Sequence, residues 1–211
     1  MKQALVLGCS HASGAEMARE PGVVYPDVYA FEAYGRTRSY PVKIAQALGY
    51  NVDNQAISGG SNDAMFRIFE TEHTNYDIVI ACWSGYNRTE VWNSDSNSWV
   101  PFSPGIHAGD LKAYQQQWVV HCTDDATGRL NKIKNIVALN ALAQAHGIPV
   151  INIDSFWPVP SYAWPSNVHW PVSTDFWDWC TNKKYPRTDW GHYFEPAHQA
   201  FADYVLENLA G

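Results

Sequence analysis

Strand-length apolar runs recur along this chain with helical patterns between them, and that alternation limits the available folds more than any other feature. Gln3-Ala4-Leu5-Val6-Leu7-Gly8 is apolar without a helical stripe and reads as a buried strand over 3–8. Residues 51–57 read as a second strand. Tyr76-Asp77-Ile78-Val79-Ile80-Ala81-Cys82 is the clearest of the set, and its unbroken β-branched run predicts burial on both faces. Ile148 to Ile153 is the fourth. A helix is expected over Ser39–Leu48, capped by Ser39, with Val42, Ala45 and Leu48 at helical spacing and Gly49 as the stop. Three more are expected over 63–72 (Met65, Ile68, Phe69), 128–146 (Leu130, Ile133, Val137, Leu139, Leu142, Ala143) and 196–209 (Phe201, Val205, Leu209). Strands alternating with helices predict a mostly parallel sheet covered on both sides: a three-layer α/β/α, flavodoxin-like domain.

Two aromatic-rich insertions interrupt this pattern. Residues 91–127 carry Asn/Ser-rich turns, Pro101 and Pro104; residues 155–188 carry Trp157, Trp164, Trp170, Trp177 and Trp179, broken by Pro158, Pro160, Pro165 and Pro171. Both follow strands, so both should emerge at the carboxyl ends of the sheet, where open α/β sheets bind ligands. Residues 11–38 form a third irregular stretch, which at that length is expected to be functional or to hide a short helix. There is no internal repeat and no linker, so the 211 residues are expected to form a single domain.

Composition narrows the function classes. Hydrophobic residues make up 46% of the chain and charged ones 17%, which supports a full core. A net charge of -7 argues against nucleic-acid or anionic-membrane partners. No apolar run is long enough to cross a bilayer, and Met1-Lys2-Gln3 leads straight into a strand without a signal-peptide core. A cytoplasmic location is expected, with association to a virion as the other possibility. Cys9, Cys82, Cys122 and Cys180 are scattered and read as free thiols. Ten Trp and twelve Tyr, several in proline-rich loops, suit either loop anchoring or a binding surface.

The chemistry-bearing residues gather at strand ends. Gly8-Cys9-Ser10 leaves the first strand where a nucleophile can stand, although an isolated Gly-x-Ser is more often a turn or helix cap. Ser58-Gly59-Gly60 turns into a helix, as anion-binding turns do. Gly85-Tyr86-Asn87 follows the third strand. Asp189-Trp190-Gly191-His192 precedes the last helix, and an Asp three residues before a His can fold back onto its Nδ1–H and orient it as a general base. Each is weak alone.

Taken in order, these four segments resemble the Ser, Gly, Asn and His blocks of the SGNH hydrolase superfamily, the GDSL-type esterases and lipases. His198, six residues after His192, also matches the family's tail pattern. The resemblance implies Ser10 as nucleophile, His192 as base and Asp189 as the acid that holds it. It also implies an oxyanion hole made by the N–H groups of Ser10 and Gly59 and the side-chain amide of Asn87. Three sites depart from the pattern: Cys9 stands where the family has Asp before the Ser, Arg88 where it has Asp after the Asn, and Tyr193 where it has Pro after the His. These departures look like a divergent branch, similar to phage-encoded members. The expected function is cofactor-free hydrolysis of a small-molecule or carbohydrate ester, an acetyl ester on a sugar among the candidates. The alternative is a catalytically silent binding module on the same fold, such as a virion-associated carbohydrate-recognising protein.

Other site chemistries fit less well. His11, His107, His121, His169 and His198 lack metal-ligand spacing. Cys9, as neighbour to Ser10 on an extended segment, points away from it. No G-x-G-x-x-G follows the first strand, which argues against a nucleotide fold.

Overall fold

The computed structural model describes residues 2–19, 28–102, 125–158 and 168–210. Four strands form the central sheet: β1 (Gln3–Gly8), β2 (Asn51–Asn54), β3 (Ile78–Trp83) and β6 (Val150–Asp154), in the order β2-β1-β3-β6 and all parallel. The sequence pattern predicts this sheet, and the physical reason is visible in β1. Ala4 and Val6 point to one face and Leu5 and Leu7 to the other, and all four are fully buried. On the first face lie helix α3 (Tyr40–Ala47), with Tyr40, Ile44 and Ala45, and helix α7 (Glu195–Leu209), with Ala197, Phe201, Ala202 and Val205. On the second lie α4 (Asn62–Glu72), with Met65 and Phe69, and α5 (Asp125–Ala145), with Ile136, Leu139 and Ala143. Burying each leucine of β1 contributes about 1.5–3 kcal/mol.

The first strand lies inside the sheet, with β2 on one side and β3 on the other. The chain therefore runs outward in opposite directions from β1, which opens a crevice at its carboxyl end. Ser10 begins helix α1 (Ser10–Ser13) at that point.

Several expectations shift. The irregular stretch 11–38 holds α1, a 3₁₀ turn over Met17–Arg19 and the helix α2 (Val28–Arg38). The 91–127 insertion opens on an antiparallel hairpin, β4 (Thr89–Asn93) with β5 (Ser98–Phe102), in which Trp92 pairs with Trp99 across the strands; its residues 103–124 lie outside the described residues. The 155–188 insertion contains α6 (Phe176–Asn182), capped by Asp175, whose carboxylate accepts from Asp178 N–H; its residues 159–167 are outside the described set. The stripe expected on α5 is rotated. Leu130 is 67% exposed, and Lys132, Asn135 and Asn140 are buried beside Ile136 and Leu139. The sheet and its loops supply polar partners there: Asn140 exchanges hydrogen bonds with Asn152 of β6, and Asn135 donates to Asp63. Among the described residues no helix is long and apolar enough to cross a membrane. Cys9, Cys82 and Cys180 are free and buried.

Candidate active site

The Ser10 turn is built by close backbone approach. A Cβ on Gly8 would stand 2.6 Å from Ala12 Cβ and 2.8 Å from the Cys82 carbonyl oxygen, so only glycine lets β1 lie this near both β3 and the start of α1. Cys9 is extended (φ -104°, ψ -160°) and its carbonyl accepts from Ser13 N–H at 2.9 Å. The Ser10 carbonyl accepts from Ala15 N–H and from the Ser13 hydroxyl. A strand thus turns into a single helical turn with Ser10 at its first position. The N–H of a first helical residue has no partner within its own helix. No described residue hydrogen-bonds the Ser10 hydroxyl, His192 included.

The Gly59 turn sits directly on this one. Ile57 N–H donates to the Gly8 carbonyl at 3.0 Å, and Gly60 N–H donates to the Ile57 carbonyl at 2.8 Å. Gly59 has φ +75°, in the left-handed region that favours glycine. Its N–H has no acceptor among the described residues. Ser61 then caps α4, its hydroxyl accepting from Ala64 N–H.

The Asn87 loop is tied to that same helix. Asn62 accepts from Ser84 N–H at 2.8 Å and donates to the Ser84 carbonyl at 3.3 Å. A Cβ on Gly85 would meet the rings of Phe156 and Trp157 at 2.5 and 2.8 Å, so the loop after β6 closes over it. Arg88 donates to the Ser84 hydroxyl and lies over the Phe156 ring. The Asn87 Oδ1 is buried and has no hydrogen-bond partner among the described residues. A terminal amide orphaned in this way costs about 1–3 kcal/mol, and such groups call for a functional explanation.

His192 stands on a tight loop. Thr188 N–H donates to the His192 carbonyl at 2.8 Å, Gly191 N–H donates to the Thr188 carbonyl, and His192 N–H donates to the Thr188 hydroxyl. The ring centroid of His192 is 5.1 Å from that of His11, the neighbour of Ser10. The structure therefore brings the last loop onto the first turn. His192 Nδ1 lies 2.9 Å from Glu16 Oε2, and the Thr188 hydroxyl donates to the same oxygen at 2.7 Å. Asp189 does not reach the imidazole. Thr188 turns inward, and Asp189, next in the turn, is exposed and makes no hydrogen bond or ion pair with a described residue. Sequence reasoning missed Glu16. It falls in the irregular stretch after α1, and nothing in its neighbours separates it from a surface glutamate.

Two further histidines lie beneath. His11 is packed among Phe156, Phe176 and Trp177, and burial, followed by His192, His198 and Arg88, holds it well below the usual imidazole range. His198 Nδ1 accepts from Tyr40 N–H at 3.1 Å, and burial, reinforced by Lys43, lowers it to about 3. Both are neutral at pH 7, and neither competes as a proton acceptor with a solvent-reached imidazole. Lys132, fully buried on α5, pairs with Asp154 at the end of β6 and donates to the Trp157 carbonyl at 3.0 Å. It pins the loop that covers Gly85. Burial raises Asp154, and Lys132 opposes that rise. No group of three or more His, Cys, Asp or Glu among the described residues could hold a metal ion.

A scan against family models finds no match, and a search of curated proteins finds none either. Solved structures do match. The psychrotrophic esterase EstA from Pseudoalteromonas sp. is 13% identical, with 100% of this chain and 97% of that chain covered and a TM-score of 0.52. A protein described as a GDSL-like lipase, from Parabacteroides merdae, is 12% identical, with 98% and 94% covered and a TM-score of 0.50. A carbohydrate esterase whose active site is described as displaying divergent catalytic and non-catalytic binding functions is 11% identical, with 99% and 68% covered and a TM-score of 0.53. The fold of this chain is that of the GDSL-type, or SGNH, hydrolases.

Proposed function

We propose that the protein is a serine esterase. One observation carries the reading: an imidazole whose Nδ1 is held by a carboxylate, with Nε2 engaged by no described residue, on a loop packed against the segment that bears Ser10. The Ser10 oxygen attacks the ester carbonyl carbon while its proton passes to His192 Nε2. The tetrahedral intermediate then collapses, the C–O bond to the alcohol breaks, and His192 returns the proton to the departing alkoxide. Water repeats the sequence on the acyl-enzyme and restores the Ser10 hydroxyl. The developing oxyanion is received by the N–H groups of Ser10 and Gly59 and by the Asn87 amide. Each such donor is worth about 3 kcal/mol of barrier.

Acetyl esters on carbohydrate are the substrate class this reading favours. Trp157 is 47% exposed and Trp190 77% exposed. The first packs on the Gly85 loop and the second lies two residues before His192, and flat apolar faces with a polar edge suit sugar rings. The similarity in fold to a carbohydrate esterase is consistent with that choice. The second reading, a silent binding module, is favoured by the lack of a hydrogen bond between Ser10 and His192; catalytic contacts of this kind tighten on binding substrate. The test is hydrolysis of p-nitrophenyl acetate by the native protein and by Ser10→Ala. The esterase reading expects turnover in the first and its loss, at unchanged Tm, in the second. Equal rates would remove Ser10 from the chemistry.

A further inference from the structure

We infer that Glu16, supplied by the segment that follows the nucleophile, is the positioning residue that orients His192, in place of Asp189. The inference rests on the esterase reading for its kinetic consequences and on geometry for its substance. Glu16 Oε2 is 2.9 Å from His192 Nδ1 and also receives the Thr188 hydroxyl, while Oε1 lies 3.3 Å from Arg19 Nε. Both carboxylate oxygens are thus committed, one to the base and its own loop, the other to the Arg19 guanidinium. Its side chain is 15% exposed and that of His192 18%, so the contact lies at the mouth of the crevice but largely out of water.

Backbone geometry supports the assignment independently. Glu16 sits at φ +60°, in the left-handed region where a residue with a long side chain is uncommon. The 3₁₀ turn that follows is closed by Met17 N–H on the Gly14 carbonyl and Arg19 N–H on the Glu16 carbonyl. This backbone aims the Glu16 side chain back across the Ser10 turn toward the 188–192 loop. Observed strain of this kind is evidence for a functional constraint. The DxxH loop supplies the base, but its aspartate has turned to solvent; the acid comes from the nucleophile's own segment, six residues after Ser10. Nucleophile and acid then belong to one segment, and the base reaches that segment through Glu16.

The test compares Glu16→Gln and Asp189→Asn with the native protein in kcat, KM and the pH profile of kcat/KM on p-nitrophenyl acetate. Glu16→Gln should lower kcat about 10²- to 10⁴-fold with KM within about threefold. It should also move the acid-side inflection to lower pH, because a carboxylate facing the imidazole favours the imidazolium. Of the other ionisable groups, His11 and His198 interact electrostatically with His192 and Arg19 pairs with Glu16, and neither variant alters them. Asp189→Asn should keep kcat within about twofold and leave the inflection in place. A second readout needs no activity: in NMR spectra of the native protein labelled at histidine, His192 should carry its proton on Nδ1, and Glu16→Gln should abolish that downfield N–H signal while Asp189→Asn retains it. Loss of activity in Glu16→Gln without movement of the inflection or of the Nδ1 proton would overturn the inference, as would the same changes in Asp189→Asn. If the native protein turns over no ester, the esterase reading fails by itself and the NMR comparison still decides the role of Glu16.

Discussion

His198 makes the acid limit of stability a quantitative matter. Its ring is 1% exposed, its Nδ1 takes the Tyr40 N–H, and it packs 4.7 Å from the Phe176 ring centroid. Burial penalises the charged imidazole, and Lys43 adds to that penalty, so His198 is lowered from 6.5 to about 3; protonation would also forfeit the hydrogen bond from Tyr40 N–H. In the unfolded chain it titrates normally, so below pH 6.5 the unfolded state binds the extra proton and stability falls with pH. The slope is about 1.4 kcal/mol per pH unit. Between pH 6.5 and pH 5 the His198 contribution to the loss is therefore about 2 kcal/mol. His11, also buried, acts in the same direction. Asp175 acts oppositely: burial raises it from 3.8 to about 6, so its proton favours the folded state as pH falls through 6. The contribution of His198 can be isolated with His198→Asn, whose side-chain oxygen can accept the Tyr40 N–H without titrating. Urea denaturation of both proteins at pH 7, 6 and 5 is the assay. The stability of the native protein relative to His198→Asn should decline by about 2 kcal/mol from pH 7 to pH 5. A constant difference across that range would refute the reasoning.

Two other perturbations separate function from stability. Asn87→Ala should lower kcat about 10²- to 10³-fold with little change in KM, yet leave Tm unchanged or higher, because it removes a buried oxygen that has no partner; a pure KM effect would contradict the oxyanion role. Lys132→Met should destabilise by about 3–5 kcal/mol, since it leaves the Asp154 carboxylate buried and unpaired; a thermal melt lowered by less than about 2 °C would show that the pair is not what holds the loop.

How much of this was legible in the sequence depends on the range of the forces involved. The strands near 3–8, 78–83 and 150–154, and the helix that begins after Ser39, follow from local apolar runs and helical spacing, so they could be read directly; the cap expected of Ser39 is not made, because its hydroxyl accepts from Asn54 Nδ2 instead. The turns that carry Ser10, Gly59, Asn87 and His192 could be located, because each closes or follows a local element; the roles proposed for these residues came from the resemblance. What could not be read depends on partners distant in sequence. Lys132 looks like a surface residue until Asp154 and the Trp157 carbonyl are placed around it. Leu130 looks like core until Asn152, in the middle of β6, claims the other side of α5 through Asn140. Glu16 and His192 are far apart along the chain, and the contact depends on a left-handed backbone that no glutamate announces.

The proposed esterase chemistry requires Ser10 to be an activated nucleophile. The most direct measurement is labelling of the native protein with a fluorophosphonate probe, followed by digestion and mass mapping of the adduct. The account predicts a single adduct on Ser10 that disappears in His192→Ala. An adduct elsewhere, or none at probe concentrations that label known serine esterases, would contradict it.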